Sequence, residues 1–307
     1  MKSPEKNTLW FGAWPEKAKH FFHEGWGRWA GLAGLCAAVA LWGVVKLWDW
    51  AYPRLAVQSH YRWNVKDVEL TPAPAWVPGD LKAEVLRDNG LQGPVSLLDP
   101  DLTRRISHAF SLHPWVRHAR STKSPGGVRV EIEYRRPVMF VEVGTRWEPV
   151  DIDGVLLPQP KLSDEQQQKM PRFTGLGTTP AGPAGTSWGD PRVAAAASIA
   201  DFLAEDWPNW KLSTLEPAPP TFTESIEVEL FYLYSSSRRT RIIWGRSLLH
   251  PSSDEPPAAE KLKRLRQFFS QHHTFDPSTP QDLDLRPLPQ LQVSPRITHL
   301  QGEESLR

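Results

Sequence analysis

Between Arg28 and Lys46 the chain carries no charged side chain, and this run, Trp29–Val45, limits what the protein can be more than any other feature. Extended through Lys46, Leu47 and Trp48 it reaches twenty residues, the length at which a helix crosses the hydrocarbon core of a bilayer. Lys46 sits near the end, where its stem can lead the ammonium group to the headgroups. Trp26, Trp29, Trp42, Trp48, Trp50 and Tyr52 gather mostly toward the two ends, as interfacial aromatic belts do. Pro53 is expected to stop the helix. A cleaved signal peptide fits less well, because 28 residues precede the run and Asp49-Trp50-Ala51 has the wrong first residue for a small-x-small cleavage site. The pattern therefore predicts a transmembrane helix over residues 29–48 after an arm of residues 1–28. Flanking charge does not orient it, since Lys17, Lys19 and Arg28 are balanced by Arg54, Arg62 and Lys66. A short N-terminal arm before a large C-terminal part is usually arranged with the N-terminus in the cytoplasm, which is the orientation expected here.

Charge excludes one large class of partner. Lys and Arg total 36 against 35 Asp and Glu, a net charge of +1 that leaves no basic footprint for nucleic acid. The one dense basic run, Lys261–Arg266, reads as the solvated face of a helix. Cys36 is the single cysteine and lies in the apolar run, so no internal disulfide can form. Thirty prolines, clustered between periodic segments, predict long loops and argue against a helical bundle.

Residues 60–137 read as a first small unit. Asn64–Leu70 is expected as a strand closed by Pro72 and Pro74. Leu81, Val85 and Leu86 mark a short helix ending at Asn89-Gly90. In a second helix Asp99 is the expected cap and Pro100 suits the first turn, with Leu102, Ile106, Ala109 and Phe110 on one face. His113-Pro114 breaks that helix, and Trp115–Thr122 turns through Pro125-Gly126-Gly127 into a second strand. In that strand Val128, Val130, Ile132 and Tyr134 alternate with Arg129, Glu131 and Glu133, the clearest half-buried pattern in the chain.

Residues 138–295 read as a second unit, followed by a tail of residues 296–307. Val138–Val143 continues as a strand, and Trp147–Leu157 is expected to fold as a hairpin around Asp153-Gly154. Asp151-x-Asp153-Gly154 lacks the further acidic ligands and closing Glu of a calcium loop. Residues 158–188, rich in Pro, Gly, Gln and Thr, read as a long loop. A helix follows Asp190-Pro191 with Val193, Ala196, Ala197, Ala200 and Leu203 on its apolar side. Ile226, Val228, Leu230, Tyr232 and Tyr234 suggest one long strand, and Thr240–Trp244 its partner. A helix over Ala258–Phe269 carries Leu262, Leu265, Phe268 and Phe269 on one side, and Gln281–Arg286 reads as a closing strand.

Catalytic patterns are absent. His108, His113 and His118 fall five apart and share no helix face, and neither a His-Glu-x-x-His nor a Cys-x-x-Cys motif occurs. No Gly-x-Ser-x-Gly or Ser-x-x-Lys opens a helix after a strand. Asp282 and Asp284 look like the exposed half of an alternating strand. The expectation is a non-enzymatic chain with no cofactor, no metal site and no small-molecule substrate. The fold class expected is α+β: one N-terminal transmembrane helix, a small β-α-α-β-β unit, then a mixed, mainly antiparallel sheet with flanking helices.

Two stretches resemble the bacterial cell-division family FtsQ/DivIB. The first runs Leu112–Arg120, Pro125, Val128–Ile132 and Tyr134–Val138, with Tyr134 where the family usually has an acidic residue. The second is Trp244-Gly245, Lys261-Leu262, Leu265, Phe268-Phe269, Leu283-Asp284-Leu285-Arg286 and Gln292-Val293, and the Asp153-Gly154 hairpin is also similar. Order and spacing carry the likeness, over most of residues 60–295. The resemblance implies a POTRA domain over 60–137 and an FtsQ-type β domain over 138–295, held at the division septum by the inner-membrane span. It also implies small membrane partners similar to FtsB and FtsL, bound by addition of a strand to a sheet edge. Carried onto this chain, it nominates Leu283, Leu285, Arg286 and Val293 as the partner surface. POTRA-type modules also act as chaperones or adaptors in envelope protein assembly and secretion, which is the alternative reading.

Overall fold

A computed structural model describes residues 16–56, 62–219, 221–223, 226–287 and 289–296. The arm up to residue 15 and the tail beyond residue 296 lie outside the described residues. Contacts divide the chain into two units, residues 1–63 with 95–99, and residues 64–94 with 100–307.

The first unit is dominated by helix α1 (Glu16–Ala56). Its segment Trp29–Tyr52, 24 residues with mean hydropathy 1.8, is long and apolar enough to cross a membrane, and none of it is buried against protein. Trp29, Leu35, Leu41, Trp42 and Trp48 all stand exposed, as side chains solvated by lipid would. The helix differs from expectation at Pro53, which it passes to end at Ala56. A proline removes one backbone donor from a long helix without ending it when the turns on either side hold. Near the end of the apolar segment, the Tyr52 hydroxyl donates to the Leu98 carbonyl at 2.6 Å.

Where one long strand was expected the chain instead contains β1 (Arg62–Asn64), a 3-10 turn Val65–Asp67 and β2 (Glu69–Leu70). The Asn64 side chain accepts from the Lys66 N–H and so caps the turn, interrupting the extended run. Helix α2 (Leu81–Asp88) ends on Asn89, with Gly90 at φ +65°. After β3 (Pro94–Ser96) comes α3 (Leu102–Ser111), which starts from Asp101 and not from Asp99. Its apolar face, Leu102, Ile106, Ala109 and Phe110, is buried as the spacing predicted. Strands β4 (Val116–Ser124) and β5 (Gly127–Tyr134) form a hairpin, and β2 adds parallel to β5, giving the order β2-β5-β4.

The chain then builds an eight-stranded mixed sheet from β6 (Met139–Val143), β7 (Arg146–Val150), β8 (Arg172–Phe173), β9 (Leu212–Pro217), β12 (Phe231–Ser235), β13 (Thr240–Gly245), β14 (Gln281–Asp284) and β15 (Gln292–Pro295). Its order is β15-β14-β13-β12-β9-β8-β6-β7, with parallel pairs at β13-β14, β9-β8 and β8-β6. Helix α4 (Asp164–Lys169), closed by a Ser163–Gln166 capping box, and strand β8 both lie in the stretch read as loop. A two-residue strand has no period to read. Strand β9 carries no reading of its own in the sequence for a similar reason, since its buried Leu212 and Leu215 fall three apart.

The long strand expected over 226–234 is two strands. Strands β10 (Thr221–Thr223) and β11 (Ile226–Val228) pair with each other in a separate hairpin, and β12 begins after a break. The break resets the alternation. Phe231 and Leu233 fill the core, while Tyr232 and Tyr234 point to the opposite face.

Helices α5 (Pro191–Phe202) and α6 (Ala258–His272) flank the sheet and share its apolar core. Asp190 caps α5 by accepting from the Arg192 N–H. The small side chains Ala195, Ala196, Ala197 and Ala200 are wholly buried, which lets this helix lie close to its neighbours. Gly154 approaches so closely that a Cβ there would sit 2.9 Å from the Ala194 backbone nitrogen. The core also holds Trp188, Trp207, Trp244, Phe173, Phe231, Phe275 and Leu283.

Candidate partner-binding edge

A sheet can take up a partner's strand only where an edge is long enough and uncovered. Apart from the two-stranded pairs β1-β3 and β10-β11, the three-stranded and eight-stranded sheets have four edges. Strand β2 is two residues long. Strand β4 is plugged from α3, where Ser107 Oγ accepts from the Ser121 N–H at 2.8 Å. Strand β7 is covered by its own chain: the Leu157 N–H donates to Pro149 O at 2.8 Å, and Gln159 Nε2 to Trp147 O at 3.1 Å. Strand β15 remains. Among the described residues its only strand neighbour is β14, and Gln292, Val293, Ser294 and Pro295 are all exposed. Pro295 at its end lacks a donor, as edge strands tolerate.

The structure separates the four nominated residues. Leu283 and Leu285 have no exposed surface and belong to the core beneath the sheet. Strand β14 is also not terminal, since β13 and β15 bond it on both sides. The edge lies one strand further out. Val293, directly across from Leu283, is 55% exposed. It continues the apolar row of the core out to the exposed edge, near the partly buried Leu291.

Arg286 is on the surface but already engaged. Its Nε and Nη2 reach the two Asp284 oxygens at 2.9 and 2.7 Å, and Asp284 also accepts from the Arg286 N–H at 3.0 Å. Donating these hydrogen bonds to Asp284 raises the guanidinium pKa above its ordinary value. A partner carboxylate at Arg286 must therefore share it with Asp284.

The sheet face that carries Tyr232 and Tyr234 bears paired charges set on rings. Arg241 makes two bonds to Asp282, at 3.1 and 2.5 Å, and lies 5.0 Å over Tyr232. Arg238 and Arg296 flank the Tyr234 ring at 4.3 and 5.4 Å, and Arg238 also reaches Glu216 at 2.8 Å. Burial pushes the Tyr234 hydroxyl up, with Glu216 adding to it. Asp282 and Asp284 are thus ion-pair partners on this face and not a spaced acid pair.

The basic run on α6 departs most from expectation. Lys261 and Arg264 are buried, at 3% and 7% exposure, while Lys263 and Arg266 face solvent. Lys261 Nζ donates to Trp244 O at 2.7 Å and pairs with Glu255 at 2.6 Å. Burial lowers its ammonium pKa, which the Glu255 contact partly reverses. The helical period contained this signal, since Lys261, Leu265 and Phe268 follow at i, i+4 and i+7, on the face that packs inward.

Among the described residues no three His, Cys, Asp or Glu side chains come together to hold a metal ion. The cleft of about 560 Å³ along Thr178, Trp188, Asp190, Arg192 and Glu229 contains one perturbed carboxylate. Burial pushes Asp190 up, but hydrogen bonds from Arg192 and Thr178 hold it below its usual value, which suits its work as the cap of α5. No family model matches this chain, and no curated protein matches it in sequence.

Proposed function

We propose that the chain is a membrane-anchored, non-enzymatic scaffold of the bacterial divisome, of the FtsQ/DivIB kind, which links division proteins during septum formation. The observation that carries the reading is β15, an uncovered edge of the large sheet with an exposed valine in the row of the core. Such an edge binds through unpaired main-chain groups and selects through alternate side chains. A partner strand laid along β15 would put an apolar side chain against Val293 and polar ones beside Gln292 and Ser294.

Other features support the same reading. The three strands β2, β4 and β5, with α2 and α3 lying between β2 and β4 in the chain and β2 parallel to β5 at one edge, suit a POTRA-like unit. The Trp29–Tyr52 segment suits a single inner-membrane anchor with a cytoplasmic N-terminus and an extracytoplasmic domain. Partners of the right kind are small membrane division proteins similar to FtsB and FtsL.

A fluorescent fusion of the full chain tests the role in the cell. Rings at midcell are expected; a uniform envelope signal through the division cycle overturns the divisome reading. Pull-down of an FtsB-like partner by the full chain tests the edge, and binding that survives Val293→Asp with an intact fold removes β15 as the docking site.

A further inference from the structure

Seven residues, 285–291, join β14 to β15, more than the two to five that let a hairpin loop set its own register. Two of them, Pro287 and Pro289, have no backbone N–H, so the segment is short of donors to tie itself down. Its carbonyl groups need a donor from elsewhere.

That donor is a single guanidinium. Arg264 Nη1 reaches Leu285 O at 3.3 Å and Pro287 O at 2.8 Å, and Nη2 reaches Pro289 O at 2.9 Å. Its Nε lies 3.5 Å from Glu260 Oε1, within ion-pair range but without a hydrogen bond. Only a planar fork can serve three carbonyls spread over five residues, because a lysine presents one compact point charge. A buried cation is costly to keep, and fixing one arrangement among several is the best-attested return on such a group.

We infer that Arg264 is a positioning residue for the partner-binding edge, holding the β14–β15 connection so that β15 keeps its register and stays ordered before a partner arrives. The functional half of the inference rests on the docking role proposed for β15. Register matters because a slip of one residue turns Val293 to the other face of the sheet and puts a polar neighbour in its place. With one strand neighbour and no buried side chain of its own, β15 has little else to hold it.

Hydrogen exchange on the full-length chain in detergent, read by mass spectrometry, tests the inference with Arg264→Lys and Arg264→Gln. Losing charge-assisted hydrogen bonds of this kind should quicken exchange across residues 281–296 about tenfold or more. Peptides from β12 and α5 should not change. Arg266→Gln, on the exposed side of the same helix and paired to Asp206, should leave exchange across 281–296 unaltered, with any change confined to the segment around Asp206. No change at 281–296, or one equal rise over the whole sheet, overturns the inference. Pull-down with an FtsB-like partner separates the two readings. Loosened β15 with weakened capture supports both, whereas loosened β15 with full capture leaves Arg264's hold standing and overturns the docking role. Should both variants fail to fold, NMR of the unsubstituted chain decides: slowly exchanging Arg264 guanidinium protons support the clamp, and freely averaging ones overturn it.

Discussion

Leu283 and Val293 face each other across β14 and β15, yet the first has no exposed surface and the second is 55% exposed. They point to the same side of the sheet, where the core covers one and leaves the other exposed. An apolar row that runs out from under its cover is what an added strand could complete.

The pair predicts opposite behaviour. Leu283→Ala should cost about 2–5 kcal/mol and lower the melting temperature. Val293→Asp should change stability by no more than about 0.5 kcal/mol, as surface substitutions do. It should nevertheless weaken partner capture about tenfold or more, since it sets a charge in an apolar contact. Thermal melts and pull-downs on the same preparations distinguish the two.

Asp151 joins the first sheet to the second. It accepts from Arg135 Nη1 at 2.5 Å and from the N–H groups of Asp153 and Val155 at 3.0 and 2.9 Å, and it is almost fully buried. Asp151→Ala leaves two amides without an acceptor and the mostly buried Arg135 with only Asp153, 3.6 Å away, so a loss of about 3–5 kcal/mol is expected in chemical denaturation. Asp151→Asn, which keeps an acceptor, should lose less.

Gly154 has φ +70°, and a Cβ there would press on the Ala194 backbone. Gly154→Ala should therefore destabilise by about 1–3 kcal/mol, from backbone strain together with the displaced helix. In a melting series the Ala194→Gly change should not recover that loss in the double variant, because the Ala194 nitrogen and Cα that the new Cβ meets remain.

His113 accepts from the Trp115 N–H at 3.2 Å, and its Nε2 lies 3.6 Å from Glu84. Burial pushes its pKa below the ordinary 6.5, with Glu84 and Asp88 of α2 pulling it partly back. Below pH 6.5 the unfolded chain takes up a proton that the folded one does not, until the lower folded value is reached. Stability should fall over that window as the pH drops, by at most about 1.4 kcal/mol per pH unit. His113→Asn should flatten the slope in denaturation curves taken between neutral pH and pH 5, a window set by the usual titration range of histidine.

Leu35 and Val39 lie exposed in the middle of the apolar segment of α1. Arginine at the centre of a membrane helix costs about 2.5–3.5 kcal/mol per site. Leu35→Arg with Val39→Arg should move the chain from the carbonate-resistant membrane pellet to the supernatant.

Much of the architecture was legible before any coordinates. The uncharged run at Trp29–Val45, the buried face of α3, the alternation in β5, the Asp190-Pro191 start of α5 and the apolar side of α6 all express local periods or caps. A period reports only which residues lie together along one element. Where the element is two residues long, as in β8, or where the phase resets, as between Val228 and Phe231, it reports nothing or misleads.

By itself the sequence determined one apolar helix, an α+β body behind it, and the apolar side of α6, but it read the basic run Lys261–Arg266 as solvated, where the fold buries Lys261 and Arg264. It could not say that β14 has a strand on both sides, that β15 and not β14 forms the edge, or that a run of basic residues reaches across the core to the carbonyls of another segment. Those facts belong to pairing between distant parts of the chain. Strand order and cover are settled by which surfaces meet, and only the folded protein brings Arg264 to Pro289 and leaves Val293 uncovered.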